Sequence, residues 1–296
     1  MTVSRVTQGM LSQRALTSIQ TSLGRLARTQ EQMSTGRVLN RPSDSPTDTV
    51  SAMRLRSSVA DQKQYVRNGQ DGAAWLERID SSLTSMLDQT RRARDLALAG
   101  ANSGAVSPEG RAALAAEVGQ LRASLLSVAN TTHMGRPVFG GITAGAQAYD
   151  ASGSFTGAAG AVSRVVADGS TIRVNVDGPD AFGPDGANIF AELEQLTTAL
   201  QAGDTAGIRA RIAGIDTAMA RMTTTLADVG TRALAIDRSV EVANDAAITL
   251  GSSLSEVENV DLTRATVDLK MQEVAYQASL AATARVVQPS LMDFLR

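Results

Sequence analysis

The longest regular pattern in this sequence is a heptad repeat between residues 208 and 254. Apolar or small residues recur there in steps that alternate strictly between four and three positions: Ile208, Ile212, Ile215, Met219, Met222, Leu226, Val229, Ala233, Ile236, Val240, Ala243, Ala247, Leu250 and Leu254. This spacing places one stripe along an α-helix and is typical of helices that pack lengthwise against other helices. Because no proline occurs between residues 185 and 288, the pattern predicts one long, uninterrupted helix.

Similar stripes predict further helices on both sides of this one. A helix is expected at about 46–99 behind a Ser45-Pro46 start signal, with the same alternation from Tyr65 to Ala97, and a third stripe follows Ser107-Pro108. A shorter helix is expected at about 188–200, and a last one at about 262–287. A first helix near the N-terminus should end at Ser34-Thr35-Gly36, where glycine favours a helix stop.

The composition supports thin helical layers. Aromatic residues make up 3% of the chain, so its 43% hydrophobic content comes mainly from aliphatic side chains. The net charge of −2 gives no basic excess for nucleic acid, and the lack of cysteine excludes disulfides and thiolate sites. No apolar run reaches the length of a membrane span, and residues 1–13 do not resemble a secretory signal.

A heptad stripe can pack within one molecule or between molecules. We expect the central stripes to form the core of an intramolecular bundle, because they have one another as partners. The expected core positions are Leu76, Ile79, Leu83, Met86, Leu121, Leu125, Ile215, Met219, Met222, Leu226, Ile236 and Val240.

The stripes at the chain ends have too few partners in the sequence, so we expect them to join molecules. The last helix carries a second apolar face as well, Val267, Met271, Val274 and Ala278, which one neighbouring helix cannot cover. The expected assembly positions are Leu16, Ile19, Leu23, Leu26, Met33, Leu269, Tyr276, Leu280, Val287, Leu291 and Phe294.

The helical period stops between Gly135 and Gly186, where glycine and aromatic residues are dense. Residues 162–166 and 171–176 read as two short strands joined by an Asp168-Gly169 turn. The fold class expected is therefore mainly α: an elongated long-helix bundle or coiled coil with a small β-containing insertion.

Catalytic motifs are absent. His133 is the single histidine, and we expect it at a helix end. No phosphate-binding loop or nucleophile elbow is present, and the aspartates at 177, 180 and 185 lack the spacing of a calcium loop. We therefore expect no enzyme activity, cofactor or metal. An enzyme or metal-dependent module on a helical scaffold is an alternative, but the missing nucleophile, base and metal-ligand motifs disfavour it.

The order of short motifs resembles the flagellin superfamily, and within it the subunits at the junction of hook and filament. The carrying segments are 31–36, 121–132, 135–141, 228–232, 254–262 and 290–295. A loop motif also carries the resemblance: Asn40, Arg41, Pro42, Ser43, Asp44 and Pro46. This is the form of the loop in the junction subunits, whereas flagellins proper usually have a sequence more like Asn-Ser-Ala-Lys-Asp-Asp there.

This resemblance implies a domain order. Residues 1–42 and 259–296 would form an inner coiled-coil domain, and residues 43–140 and 186–258 an outer helical rod domain. Residues 141–185 would be the small β-containing insertion, which the motifs leave unmatched.

The resemblance also implies a function and partners. The chain would be a structural adaptor that joins the hook to the flagellin filament by assembling with its own copies. Its partners would be hook-associated protein 1, flagellin and a cytoplasmic export chaperone, without nucleic acid or membrane. Export would follow the flagellar type III route to the cell exterior without a cleaved signal. The alternative is a short or minor flagellin that forms filament itself.

Overall fold

The structure is a computed structural model, and it describes residues 8–102, 107–145 and 147–294, with side chains up to residue 284 except those of Gln8 and Leu11. Within these ranges it contains seven helices and two small antiparallel sheets, which confirms the mainly α fold class with a small β part. The helices are α1 (Gln8–Thr35), α2 (Pro46–Ala101), α3 (Pro108–Ala129), α4 (Gly178–Phe182), α5 (Ile189–Ala202), α6 (Thr205–Glu258) and α7 (Leu262–Phe294). The strands are β1 (Thr132–His133), β2 (Arg136–Pro137), β3 (Ser163–Ala167) and β4 (Ser170–Arg173).

The predicted start signals are present at the helix ends. Ser107 is the N-cap of α3, and its side chain accepts a hydrogen bond from the Gly110 N–H at 3.1 Å. Pro108 follows as the first helical residue. Ser45 has the same place before α2: its hydroxyl accepts a hydrogen bond from the Asp48 N–H at 3.4 Å and donates to the Asp48 carboxylate at 2.6 Å. These polar groups satisfy backbone donors that a helix leaves open at its first turn.

The described chain divides into two compact units. One, called here the terminal unit, contains the described residues up to 60 and from 247 onward. The other, the central unit, contains residues 61–246. The domain boundaries expected from the sequence, at 42/43 and 258/259, stay a prediction.

In the central unit, α2 and α6 run antiparallel. Gly69 lies against Val240 and Gly72 against Ile236, whereas further along α2 Arg94 pairs with Asp216 at 2.5 Å. A β-carbon at Gly69 would overlap the Val240 Cγ2 atom, so glycine is what permits this close approach.

The seam residues of the central unit line its core. The side chains of Leu76, Ile79, Leu83, Met86, Leu125, Ile215, Met222 and Ile236 are buried. Leu121, Met219, Leu226 and Val240 are partly buried and pack against the same cluster.

Five aromatic residues add a second part to this core. Phe139, Tyr149, Phe182 and Phe190 are fully buried, and Phe155 packs against Tyr149 with ring centroids 5.5 Å apart. These five aromatic residues thus form one cluster between the glycine-rich segment and α5. The expected packing of thin, mainly aliphatic layers therefore applies only to the long helices.

The β3–β4 hairpin is fastened to the paired helices by polar contacts. The Asn68 side chain donates to the Val165 carbonyl at 2.8 Å, and Arg164 pairs with Asp71 at 2.6 Å. From α6, Arg232 donates to the Asn175 carbonyl at 3.1 Å. The segment expected as an insertion is therefore attached to α2 and α6 along the central unit.

Candidate assembly interface

In the terminal unit, α1 packs against α7. Ile19, Leu26 and Met33 on α1 and Leu269 and Tyr276 on α7 are half-buried. Leu16, Leu23 and Leu280 are 53%, 49% and 43% exposed. Val287, Leu291 and Phe294 belong to α7, but their side chains lie outside the described part of the chain.

Within the described residues, a second face of α7 stays uncovered. Val267, Met271 and Val274 are 57%, 63% and 65% exposed, and Ala278 continues the row one helical turn later. The alternating steps of four and three residues place these positions in one stripe. Burial of such a side chain contributes about 1.5–3 kcal/mol, so the stripe can supply binding energy to another molecule.

The two turns beside this helix pair are joined through their backbones. The Val38 N–H donates to the Glu258 carbonyl at 2.7 Å, and the Val260 N–H donates to the Gly36 carbonyl at 3.0 Å. The Glu258 side chain is nearly buried and pairs with the Arg56 guanidinium at 2.6 Å. Asp261 then caps α7 by accepting a hydrogen bond from the Thr263 N–H at 2.9 Å. These contacts fix where α1 ends and α7 begins.

The loop motif forms an ordered turn beside these contacts. The Asp44 carboxylate accepts hydrogen bonds from the backbone N–H groups of Arg41 at 2.8 Å and of Asn40 at 3.2 Å. Arg41 pairs with Glu31 of α1 at 3.3 Å. Pro42 and Ser43 are exposed, and Pro46 is the first residue of α2. The motif therefore shapes the passage from α1 to α2.

The loop also bounds an open pocket of about 260 Å³, lined by Arg37, Leu39, Asn40, Arg41, Pro42, Thr49, Ala52 and Arg56. Two of its three arginines already pair with carboxylates of the same unit, Arg41 with Glu31 and Arg56 with Glu258. These ion pairs hold parts of the same unit together, so we assign the pocket a structural role.

The expectation that His133 lies at a helix end is wrong. α3 ends at Ala129, and His133 lies on β1, where it pairs with Arg136 of β2. Its ring contacts the buried Trp75 of α2 with centroids 5.2 Å apart. Asn130 is the C-cap of α3, and its side chain accepts hydrogen bonds from the Ala148 and Tyr149 N–H groups, which ties the end of the helix to this later segment.

Two of the three aspartates considered for a calcium loop, Asp177 and Asp185, have structural partners. Asp177 accepts a hydrogen bond from the Gly160 N–H and pairs with Arg173 at 3.0 Å, and Asp185 accepts from the Phe155 N–H at 2.9 Å. Burial raises the pKa of the Tyr149 hydroxyl well above its usual range.

In the part of the chain that the structure describes, no group of three or more His, Asp or Glu side chains could hold a metal ion. Across the same residues, no helix combines the length and apolarity that a membrane span needs.

Sequence comparison matches two halves of one family. The bacterial flagellin N-terminal helical region matches residues 6–143, and the bacterial flagellin C-terminal helical region matches residues 212–295. Together they cover most of the chain.

Individual relatives match over nearly the whole length. Flagellar hook-associated protein 3 of Salmonella typhimurium is 25% identical, over 93% of this chain and 94% of its own. Flagellin FlaB2 of Treponema pallidum is 26% identical, over 90% and 91%. Among solved structures, the flagellar junction protein FlgL of Legionella pneumophila shares the fold with a TM-score of 0.58 at 14% identity, covering 70% of this chain and 99% of its own.

Proposed function

The chain belongs to the flagellin family, and from this premise we propose that it is the junction subunit that joins the flagellar hook to the flagellin filament. The loop Asn40-Arg41-Pro42-Ser43-Asp44 supports the junction over a filament subunit, and the near full-length similarity to hook-associated protein 3 is in line with it. The role is structural, since a template for the next subunits needs shape and contact surfaces without chemistry.

The observation that carries the assembly mechanism is the uncovered stripe Val267, Met271 and Val274 on α7. A helix with two apolar faces needs more than one neighbour, and α1 covers only one of them. We propose that copies of this chain and its axial neighbours supply the rest, with α1 and α7 as the inner coiled-coil domain and α2, α3 and α6 as the outer rod.

The partners proposed are hook-associated protein 1 on the hook side, flagellin on the filament side and a cytoplasmic export chaperone before assembly. The location proposed is the flagellum outside the cell, reached by type III export without a cleaved signal. Neither nucleic acid nor membrane belongs to this set.

Deletion of the gene tests the junction role. We expect cells that build bare hooks and release flagellin into the medium, and a plasmid copy of the chain should restore attached filaments. Normal filaments in the deletion strain would overturn the proposal.

A single new charge tests the uncovered stripe. Val274→Asp changes an exposed position, so the free energy of unfolding should stay within about 0.5 kcal/mol of the wild type. In cells the variant should fail to retain filaments, because assembly would bury the new carboxylate. Thr266→Asp, which adds the same charge at an exposed position of α7 off the stripe, is the matched control and should retain them. Equal filament retention by both variants would exclude the stripe from assembly.

The alternative of a minor flagellin rests on the match to the Treponema flagellin. Purified protein mixed with flagellar seeds discriminates the two: a junction subunit stops after a short layer, whereas a flagellin grows a long filament.

A further inference from the structure

The uncovered stripe of α7 contains one side chain that can be oxidised. Met271 lies at its centre, four residues after Val267 and three before Val274, and it is 63% exposed. The neighbouring positions of the stripe carry valine or alanine, whose hydrocarbon side chains have no sulfur. Peroxides convert a thioether from an apolar into a polar group. Met271 is therefore the position at which this apolar surface can change its polarity.

The methionines differ widely in exposure. Among those whose side chains the structure describes, Met86 and Met222 are 0% exposed, whereas Met53 of α2 and Met134 of the β1–β2 hairpin are 62% and 80% exposed. Oxidants dissolved in water reach exposed side chains first, so Met271 belongs to the reactive group. Met53 matches it in exposure but lies outside the stripe. It therefore serves as an internal standard for reactivity.

The backbone around Met271 is regular helix. α7 extends from Leu262 to Phe294 and so continues on both sides of this residue. Lys270 and Glu273, which lie close to it in sequence, pair with each other at 2.8 Å. A new polar group at an exposed helical position leaves the folded chain stable, because water continues to solvate it. Oxidation of Met271 therefore changes the surface of the subunit and preserves its fold.

Hydrogen peroxide and organic hydroperoxides oxidise a thioether by transferring one oxygen atom. A lone pair of the sulfur attacks the peroxide, an S–O bond forms as the O–O bond breaks, and water or an alcohol leaves. Sulfur thereby loses two electrons, and the product is the polar methionine sulfoxide. Sulfoxide reductases reverse the change: two thiols are oxidised to a disulfide, and the oxygen leaves as water.

A sulfoxide in the stripe has opposite consequences for the free and the assembled subunit. In the free subunit, water solvates the new oxygen. Assembly would remove it from water, and burial of a polar group without a hydrogen-bond partner is unfavourable. The cost of such burial corresponds to an association that is about 10- to 100-fold weaker. The oxidised subunit should thus stay folded but lose its place in the assembly.

We propose that Met271 is an oxidation site that controls the assembly of this subunit. Hydroperoxides convert Met271 to the sulfoxide in the free subunit and so prevent assembly, and sulfoxide reductases restore it. In the flagellum, neighbouring subunits cover the stripe and protect the thioether. This inference rests on the proposed self-assembly through α7, and it adds the class of reaction that inactivates that surface.

Peptide mass spectrometry after brief treatment with hydrogen peroxide locates the reactive methionines. In the purified free subunit, Met271 and Met53 should form sulfoxide at rates within about threefold of each other, and Met86 at least about tenfold more slowly. In isolated flagella, Met271 should react at least about tenfold more slowly than in the free subunit. Equal rates for Met271 in the two samples would refute its protection by assembly. A rate for Met271 as low as that of Met86 in the free subunit would refute the oxidation site.

Binding to isolated hooks measures the effect on assembly. Hook–basal bodies from the deletion strain should carry the surface to which this subunit attaches, and sedimentation gives the bound fraction. Peroxide treatment of the wild-type subunit should weaken its binding about 10- to 100-fold. Methionine sulfoxide reductase with a thiol reductant should then restore it, because the fold is intact.

Met271→Leu separates this site from every other methionine. Leucine keeps an apolar side chain, so the variant should bind like the wild type before treatment and keep its affinity afterwards. Met53→Leu is the matched control and should lose affinity as the wild type does. Equal loss by treated Met271→Leu and treated wild type would reject the oxidation site alone. Failure of the untreated wild type to bind would reject the junction role and this inference together.

Met271→Gln imitates the sulfoxide without any oxidant, since its side chain has a similar length and a polar end. The variant should unfold at the same temperature as the wild type because the position is exposed. In cells it should reduce filament retention, whereas Met53→Gln, which adds the same amide at a position of similar exposure, should not. A Met271→Gln variant that retains filaments like the wild type would contradict the proposed role of this position.

Discussion

Two stripes with the same heptad spacing have opposite surroundings in this protein. In the central unit, Ile79, Leu83 and Met86 are 0% exposed. In the terminal unit, Leu16 and Leu23 remain about half exposed, at 53% and 49%. Periodicity identifies the apolar face of a helix, but the number of neighbouring elements decides whether that face is buried.

The neighbours differ for a physical reason. The seam of α2 shares one hydrophobic cluster with residues of α3, α5 and α6 and with the aromatic group around Tyr149. In the described part of the chain, α1 instead packs mainly against one helix, α7. A pair of helices cannot cover two apolar faces, so the terminal unit keeps binding surface that the central unit has already used.

Truncation of one leucine in each stripe should give the largest contrast. Leu83→Ala leaves a cavity in a fully buried core, so the free energy of unfolding should fall by about 2–5 kcal/mol in denaturant titration. Leu23→Ala should cost less than about 1 kcal/mol in the free subunit, because half of that side chain already faces water. Equal losses at the two positions would remove the distinction between the stripes.

Replacing one glycine by alanine in each unit should change the free energy of unfolding in opposite directions. In Gly69→Ala the new methyl group would overlap the Val240 Cγ2 atom, whereas at Gly24 nothing lies within 4 Å. Overpacking costs about 1–3 kcal/mol and alanine gains about 1 kcal/mol of helix propensity, so Gly69→Ala should destabilise the protein. Gly24→Ala should stabilise α1 by up to about 1 kcal/mol, which thermal unfolding followed by circular dichroism can measure. Stabilisation by both substitutions would show that α2 and α6 are not close at this level.

A smaller effect is expected from pH in the central unit. The Ser152 hydroxyl, and then the Ser154 N–H, donate hydrogen bonds that hold the pKa of the Asp150 carboxyl below its usual range. A lowered folded pKa stabilises the protein above the unfolded value of about 3.9, and this stability is lost as the pH falls through the folded value. Asp150→Asn should therefore lower the unfolding temperature slightly at pH 7, and this difference from the wild type should disappear as the pH falls through the folded pKa of Asp150. A difference that persists in strong acid would assign the effect to shape instead of charge.

Much of the helical part of this fold is predictable from local pattern. The seam from Ile208 to Leu254 lies within one helix, α6, and the Ser107-Pro108 signal starts α3. The place of His133 depends on its contact with Trp75, which is remote in sequence, as is the hydrogen bond between Asn130 and Ala148. The strands β1 and β2 have two residues each, which is too short to show a period. The aromatic cluster escapes prediction for the same reason: Phe139, Tyr149, Phe182 and Phe190 meet only in three dimensions. The candidate interface shows the same division, since the stripe on α7 follows from spacing, whereas the exposure of Met271 depends on which helices pack beside α7.

Hydrogen exchange on the free subunit and on isolated flagella tests the contrast between the two units most directly. We expect the end stripes to need other molecules, whereas the central seam is complete within one chain. In the free subunit, amides of residues 16–33 should therefore exchange rapidly while those of residues 208–236 are protected, and assembly should protect both. Equal protection of residues 16–33 and 208–236 in the free subunit would contradict this division between the units.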